Sequence, residues 1–298
     1  MQSDLKFIQN LVDQIEANLA DDINIVTLAK SCHLSPWHFQ RLFKSLVGDT
    51  LGAYIRGRRL TKAAQLLLNS EQGLIDIAFS VGFNSHEAFT RSFKAYFKLS
   101  PKEFRKHRPV ILLNEKPLLT QDLFHHIANV VQREPVITLR KEQVIVGFST
   151  TTPSPFIPGE GYCDLLYTSW MNLFEQHTTI ADTIPETFFG LSISSSGNFT
   201  EDTVDYIAGV PVTSLNKVPD GMVAHTFPEQ WVALFKIATV DKDTVAKTMD
   251  YIYGYWLPNS AYLRGHGNDY ELFEEVKGIH SFEDANLQSY YVIPVVLK

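Results

Sequence analysis

The sequence predicts two domains of different class, an all-α N-terminal domain with two helix-turn-helix units and a C-terminal α+β domain. A pattern Ser-x-x-x-Phe-x-Arg-x-Phe-Lys begins at Ser35 and again at Ser85. Each copy has helical periodicity and follows a short apolar helix and a turn, the layout of a helix-turn-helix. From about Pro135 the apolar residues form short runs typical of strands, with a few helices between them. A chain of 298 residues is long enough for both domains.

The two predicted parts of the chain also differ in charge. Residues 1–109 contain 15 Lys and Arg against 10 Asp and Glu, while the whole chain has a net charge of −7. The remaining residues therefore carry −12, because the first segment carries +5. A basic segment joined to an acidic one predicts a nucleic-acid-binding domain joined to a domain with another task.

The cysteines and the N-terminus favour a cytoplasmic protein without structural metal. The chain has two cysteines, Cys32 and Cys163, and no CxxC motif, so we expect neither a disulfide framework nor a zinc site. The adjacent pair His125 and His126 lacks the spacing of helical metal ligands. The first ten residues do not resemble a signal peptide, and no apolar run is long enough to cross a bilayer.

The first helix-turn-helix unit is predicted from helical spacing and capping residues. Residues 5–19 form an amphipathic helix, residues 27–33 a short helix and residues 33–35 the turn. Ser35 is the expected N-cap of the next helix and Pro36 its first residue. In that helix Phe39 and Phe43 fall on the packing face, and Trp37, Gln40, Arg41 and Lys44 fall on the opposite face.

The second unit repeats this order after a connecting helix over residues 51–69. A short helix over 74–81 and a turn over 82–84 precede a helix capped by Asn84 or Ser85. Phe89, Phe93 and Phe97 are expected to face inward, and Glu87, Thr90, Arg91 and Lys94 outward. Residues 101–107 form a last short helix.

A linker over residues 110–134 is expected to hold a small hairpin, starting at 111–113, and a helix over 122–132. The C-terminal domain, residues 135–298, then divides into two halves with the order strand, helix, strand, strand. We expect strands over 136–148, 187–194, 204–211, 222–227, 231–238, 269–274 and 290–297, and helices over 165–176 and 245–256. A Thr/Pro/Gly-rich loop over 149–161 follows the first strand.

Residues 1–109 resemble the AraC/XylS family of transcription regulators. The resemblance is carried by residues 35–44 (SPWHFQRLFK), 54–60 (YIRGRRL), 75–78 (IDIA), 89–94 (FTRSFK) and 100–105 (SPKEFR). It implies that the two helices after the turns enter successive major grooves, about one DNA turn apart. A monomer would then bind an asymmetric, bent site of about 20 base pairs on double-stranded DNA.

Side chains on the two outward helix faces are the candidates for DNA contact. Arg and Gln can hydrogen-bond the edges of guanine and adenine, while Lys and Arg on a bridging helix hold phosphates. The expected base-reading residues are Trp37, Gln40, Arg41, His86, Glu87, Thr90 and Arg91. The expected phosphate contacts are Lys44, Arg56, Arg58, Arg59 and Lys94. For each of these cations, the alternative is a solvated helix face or a structural ion pair.

Residues 135–298 resemble the GyrI-like effector-binding domain. The resemblance is carried by residues 206–210 (YIAGV), 218–221 (VPDG), 252–260 (IYGYWLPNS) and 269–273 (DYELF). It implies a cleft between the two halves that binds a small, lipophilic or cationic effector over an acidic residue, at the position of Glu271. The expected walls are Trp170, Tyr167, Tyr206, Phe235, Tyr255 and Trp256. Packing in the core is the alternative for each aromatic residue, and a solvent-facing strand position is the alternative for Glu271.

Three functions follow from these patterns. The first is a DNA-binding transcription regulator, expected to be an activator that contacts RNA polymerase, whose second domain binds an effector. In the second, the acidic domain is a protein-interaction module without a ligand. In the third, Glu271 is the general base of a small-molecule hydrolase. We expect the first, with no catalytic residues and no cofactor.

Overall fold

The computed structural model describes residues 2–32, 34–109, 115–154, 162–196, 199, 203–215, 217–237, 242–276 and 288–298. The chain divides into two compact units. The first comprises Met1–Ala128 and Met249–Asn259, and the second comprises Asn129–Thr248 and Ser260–Lys298. The expected hairpin strand at 111–113, the turn residue His33 and most of the loop over 149–161 lie outside the described residues.

The N-terminal part of the chain is helical, as predicted. Its helices are α1 (Gln2–Ala17), α2 (Ile25–Ser31), α3 (Pro36–Val47), α4 (Leu51–Asn69), α5 (Leu74–Ser80), α6 (His86–Phe97), α7 (Pro101–His107) and α8 (Gln121–Asn129). Helices α2–α3 and α5–α6 are the two helix-turn-helix units. Both repeated serines are N-caps: Ser35 Oγ accepts from the His38 N–H at 3.3 Å, and Ser85 Oγ from the Ala88 N–H at 3.1 Å.

The repeated phenylalanines anchor the two capped helices in the core. Phe39 and Phe43 of α3 are buried, and the Phe43 ring packs edge-on against Tyr54 of α4 at 5.8 Å between centroids. In α6, Phe89 and Phe93 are buried against α4 and α7. The motif therefore fixes which face of each helix is left outside.

A buried lysine after α7 joins three segments of the first unit. Lys116 Nζ lies 2.6 Å from Asp49 Oδ2 and donates to the Gly254 carbonyl at 2.6 Å. It also lies 4.0 Å from the centroid of the Tyr255 ring, whose hydroxyl donates to the Pro117 carbonyl at 2.8 Å. The side chains of Lys116 and Asp49 are 3% and 5% exposed, so this ion pair is almost dry.

These contacts place the unit boundaries away from the expected ones. Residues 115–128 of the expected linker, and Met249–Asn259 from the C-terminal half, belong to the first unit. Gly254 makes the close approach possible, because a Cβ at this position would overlap the ring of Pro117. Such contacts between distant residues leave no periodic pattern in the sequence.

The second unit is built on an antiparallel sheet. Its strands are β1 (Val136–Arg140), β2 (Gln143–Pro153), β3 (Phe188–Ile193), β4 (Thr203–Val212), β5 (Val223–Phe227), β6 (Gln230–Ile237), β7 (Tyr262–Arg264), β8 (Asp269–Glu274) and β9 (Gln288–Leu297). Helix α9 (Tyr162–Gln176) leads into a 3₁₀ turn, His177–Thr179, and α10 (Lys242–Tyr251) leads into a π-helical turn, Ile252–Trp256, and α11 (Leu257–Asn259). The strand expected over 136–148 is two strands, and β7 was not predicted.

The strand order confirms the two similar halves. The order is β1-β6-β9-β8-β3-β4-β2-β5, with β7 paired to β9. The half made of β2, β3 and β4 mirrors the half made of β6, β8 and β9. The central pair, β3 and β8, joins the two halves and sets Gly190 opposite Glu271.

The sheet curls so that its two ends meet. Strands β5 and β6 lie near opposite ends of the order, yet only Pro228 and Glu229 separate them in the chain. One face, here called the helix face, packs with Trp170 and Leu173 of α9. The other, here called the inner face, packs its own apolar side chains together, including Ile145, Leu191 and Leu272. Side chains alternate between the two faces along each strand.

We expect Lys116→Met to destabilise the protein strongly, because the buried Asp49 carboxylate loses its cation. Breaking a buried pair by removing one partner costs about 3–5 kcal/mol. Lys141→Met is the control, since Lys141 lies 2.7 Å from Glu229 but is 81% exposed, and such pairs contribute about 0–1 kcal/mol. Urea unfolding of both variants measures the difference. Equal effects of the two substitutions would contradict the anchoring role of Lys116.

Candidate DNA-binding face and effector site

Helix α3 presents an exposed polar face on the side opposite Phe39 and Phe43. Trp37 is 65% exposed, and Gln40, Arg41 and Lys44 are exposed beside it. The guanidinium carbon of Arg41 lies 4.6 Å from the centroid of the Trp37 ring, a cation–π contact that restrains the arginine. These four side chains form the surface that the sequence predicts for base and phosphate contact.

Helix α6 presents a similar face with differences at its start. Arg91 and Lys94 are exposed and His86 is half-buried. The exposed Glu87 carboxylate accepts hydrogen bonds from its own backbone N–H and from Ser85, which lower its pKa. Glu87 lies in the first turn of α6, where a negative charge stabilises the N-terminal end of a helix.

The structure does not favour a hydrogen bond from the Thr90 hydroxyl to a base. This hydroxyl is buried, and among the described residues it has no hydrogen-bond partner. The sequence predicts Thr90 on the outward face, but its hydroxyl is turned inward by packing. The hydroxyl of Thr90 is therefore not among the donors that α6 presents to bases.

Two of the expected phosphate contacts, Arg58 and Arg59, are structural instead. Arg58 forms two hydrogen bonds to the Glu16 carboxylate, at 2.8 and 3.0 Å, and donates to the Lys116 carbonyl at 2.7 Å. Arg59 donates to three backbone carbonyls at 2.7–2.8 Å, those of Leu19, Asp21 and Gly82.

Arg58 and Arg59 are structural because of the position of α4. These arginines lie against the end of α1 and the turn between α5 and α6. Leu19 and Asp21 lie just after α1, and Gly82 lies just after α5. Arg59 therefore binds carbonyls that belong to no helix. Arg56, in contrast, is exposed and stays a candidate phosphate contact.

In the second unit, three of the expected effector residues form one hydrogen-bonded chain on the helix face. The Trp170 Nε1–H donates to the Tyr206 hydroxyl at 3.0 Å, and this hydroxyl donates to Glu271 Oε2 at 2.8 Å. Burial raises the pKa of the Glu271 carboxyl to about 7, although the bond from Tyr206 acts in the opposite direction. The chain holds the carboxylate in a fixed position among aromatic rings.

Gly190 makes room for this chain and was missed by the sequence prediction. A Cβ at Gly190 would overlap the Tyr206 hydroxyl and lie 2.6 Å from Glu271 Oε2. Gly190 is paired with Glu271 across the central strands, and the space of its missing side chain is occupied by the Tyr206 hydroxyl and the Glu271 carboxylate. A single glycine in a strand can mark a close approach of other groups, but the sequence does not show which residue is paired with it.

Cross-strand pairing places Phe235 on the same face as Glu271. Phe235 is paired with Tyr291, and Tyr291 is paired with Glu271. Phe235 is fully buried, so it packs beneath the expected effector site and is not exposed to a ligand as a wall of it. Tyr167 is 66% exposed on α9, one turn before Trp170.

A fully buried carboxylate, Asp269, lies two residues before the half-buried Glu271 and was also missed. It accepts from the Tyr291 hydroxyl at 3.1 Å and pairs with Arg264 at 2.8 Å. The guanidinium of Arg264 in turn lies 5.1 Å from the Phe199 ring centroid. Asp269 is thus neutralised by its own cation, which leaves Glu271 as the acid beside Tyr206 and Trp170.

The structure contradicts Tyr255 as an effector-binding residue. Its ring is buried under Lys116 and its hydroxyl donates to Pro117, both within the first unit. Trp256 is half-buried in the same segment, Met249–Asn259, and is grouped with the helical unit rather than with the strands that carry Glu271. The contacts of Tyr255 and Gly254 in this motif are therefore packing contacts of the first unit.

Comparison with known proteins agrees with both parts of the fold. Residues 28–107 match the helix-turn-helix domain model, and residues 133–296 match the GyrI-like small molecule binding domain model. The transcriptional regulator Rob of Salmonella typhimurium is 26% identical over 97% of this chain and 97% of its own.

The chain belongs to the AraC family of transcription regulators, with a GyrI-like domain. Two shorter relatives match the N-terminal part alone. The probable transcription factor PqrA of Proteus vulgaris is 42% identical over 33% of this chain and 78% of its own. The multiple antibiotic resistance protein MarA of Escherichia coli is 38% identical over 33% of this chain and 77% of its own.

The protein is therefore a DNA-binding transcription regulator with a C-terminal small-molecule-binding domain. Within the described part of the chain, no helix is long and apolar enough to cross a membrane. The same residues hold no group of three or more His, Cys, Asp or Glu side chains arranged to bind a metal ion.

We expect Arg41→Ala and Arg59→Ala to weaken DNA binding in different ways. Loss of a base contact by Arg41 costs about 1–3 kcal/mol and relaxes preference at one base position. Loss of the three carbonyl contacts of Arg59 lowers the free energy of unfolding and leaves the base preference of the folded protein unchanged. Binding titrations on specific and random duplexes, with melting curves, separate the two. An equal loss on both duplexes for Arg41→Ala would contradict its base-reading role.

We expect Gly190→Ala to abolish the bond between Tyr206 and Glu271, since its Cβ would occupy their contact. Trp170 fluorescence should change, because its indole N–H donates to the displaced hydroxyl. Gly221→Ala is a control for added backbone restriction, since a Cβ there meets nothing within 4 Å but the residue has a φ of +80°. If only Gly221→Ala altered Trp170 fluorescence, the assigned role of Gly190 would be wrong.

Proposed function

We propose that this regulator binds an asymmetric DNA site as a monomer, with α3 and α6 in successive major grooves. The observation that supports this is the matched pair of Ser-capped helices, each held by buried phenylalanines and each leaving an exposed arginine outside. The proposed base-reading residues are Trp37, Gln40, Arg41, His86, Glu87 and Arg91, and the proposed phosphate contacts are Lys44, Arg56 and Lys94.

We further propose that the protein activates transcription in the cytoplasm through contact with RNA polymerase, and that the second unit binds a lipophilic cation at Glu271. The hydrogen-bonded chain from Trp170 through Tyr206 to Glu271 supports the choice of a cation. An ionised carboxylate among aromatic rings attracts a cation through charge and through the faces of the rings. Gly190 leaves the space in which the Tyr206 hydroxyl and the Glu271 carboxylate meet, and the cationic group would bind beside this pair.

Selection of random duplexes by the purified protein tests the DNA proposal. We expect an asymmetric site of about 20 base pairs with two blocks of preference separated by about one DNA turn. The block that weakens in Arg41→Ala should differ from the block that weakens in Arg91→Ala. A palindromic site would mean that a dimer uses one helix of each subunit, and would contradict the proposal.

Effector binding should depend on pH, because the cation binds the ionised form of Glu271. With the pKa of Glu271 raised to about 7, the ionised fraction rises roughly tenfold between pH 6 and pH 8. Titration with tetraphenylphosphonium should show a Kd that falls by about this factor. In Glu271→Gln the binding should be weak and independent of pH.

Without a ligand, the free energy of unfolding should fall as pH rises, whereas cation binding should strengthen. A carboxyl whose pKa is higher in the folded state than in the unfolded state loses stability as pH rises between the two values, here about 4.5 and 7. Glu271→Gln should lack this loss. If the cation bound equally well to the native protein and to Glu271→Gln, the site would lie elsewhere. If the protein consumed the ligand, the second unit would be an enzyme.

A further inference from the structure

A cavity of about 380 Å³ opens at one end of the curled sheet. It lies among Arg140 of β1, Phe189 of β3, Phe227 of β5, and Tyr270 and Glu274 of β8. Its volume is within the range of small-molecule sites, and the mouth of a barrel-like sheet is a frequent place for them. None of the residues expected to bind the effector lines this cavity.

The cavity belongs to the inner face and is separate from the site at Glu271. Phe189 and Tyr270 pack with the inner-face cluster, together with Phe227. Each is next in sequence to a residue of the other site, since Gly190 follows Phe189 and Glu271 follows Tyr270. Because successive strand residues point to opposite faces, the sheet separates the two sites.

The floor of the cavity is aromatic. The Phe227 and Tyr270 ring centroids are 4.9 Å apart, and those of Phe189 and Tyr270 are 5.6 Å apart. Tilted rings at these distances offer both faces and edges to a further ring. The floor therefore suits a flat aromatic molecule of small size.

The rim carries a cation, Arg140, which interacts with the Tyr270 hydroxyl through its charge and a hydrogen bond and has further N–H donors. Arg140 Nη1 lies 3.8 Å from Glu274 Oε1, which is longer than a hydrogen bond, and the two side chains are 34% and 38% exposed. A guanidinium group presents two parallel N–H donors to a carboxylate, a geometry that lysine cannot offer. Lys141, next to Arg140 at the same rim, is paired with Glu229, so Arg140 is the guanidinium group that the proposal uses.

We propose that this cavity binds a small aromatic carboxylate, with its ring on Phe189, Phe227 and Tyr270 and its carboxylate on Arg140. Glu274 competes for the same guanidinium group and so weakens binding. The second unit then has two sites of opposite charge preference on the two faces of one sheet. This proposal does not depend on a ligand at Glu271.

Calorimetric titration of the full chain with 1-naphthoate tests the proposal, with 1-naphthylmethylammonium as the ligand of opposite charge. We expect 1-naphthoate to bind the native protein. Binding should weaken at least tenfold in Arg140→Gln, tighten in Glu274→Gln and stay unchanged in Glu271→Gln. Any binding of 1-naphthylmethylammonium should weaken in Glu274→Gln. Melting curves of each variant establish that it is folded.

Three results would overturn the proposal. One is the absence of 1-naphthoate binding to the native protein. Another is binding that folded Arg140→Gln retains in full, since the carboxylate would then contact another group. The third is loss of 1-naphthoate binding in Glu271→Gln with Arg140→Gln unaffected, which would place the anion on the helix face. Failure of the cation to bind at Glu271 would affect none of these results, so the two proposals are tested separately.

Discussion

The alternation of side chains along β8 is the constraint on which the chemistry of the second unit depends. Asp269, Glu271 and Phe273 point to one face of the sheet, and Tyr270 and Leu272 to the other. Pairing of β8 with β3 at the centre of the sheet sets Glu271 opposite Gly190. A shift of one residue in this pairing would bury Glu271 in the apolar inner face and move Tyr270 to the helix face.

The burial of Glu271 is tolerated because hydrogen bonds and neighbouring groups are arranged around it. Tyr206 donates to it, Trp170 holds Tyr206, and the second acid nearby, Asp269, has its own arginine. An unpaired buried carboxylate is costly, and the protein reduces this cost by raising its pKa. The same cost gives a cationic ligand an advantage, because its charge would compensate that of the carboxylate.

In the first unit, some cationic side chains stabilise the fold, and the exposed ones are available for contact with DNA. Lys116, Arg58 and Arg59 each bond to backbone carbonyls or to a buried acid. They fix α4 and the corner at Asp49, which lies between the end of α3 and the start of α4. The position of α3 therefore rests on contacts with a segment from the C-terminal half of the chain, Met249–Asn259.

The sequence by itself determined the helices, most of the strands and the two capped helices α3 and α6, because these depend on local periodicity, capping and short motifs. It indicated which face of α3 stays exposed, since Phe39 and Phe43 repeat at helical spacing. Only the tertiary structure decided which arginines are free, since Arg58 and Arg56 lie on one helix and differ only in what packs against them. Likewise, the role of Gly190 depends on its strand partner, and that of Tyr255 on Lys116, which is 139 residues away in the chain. Contacts between distant residues are set by packing of the whole unit, and no local pattern in the sequence encodes them.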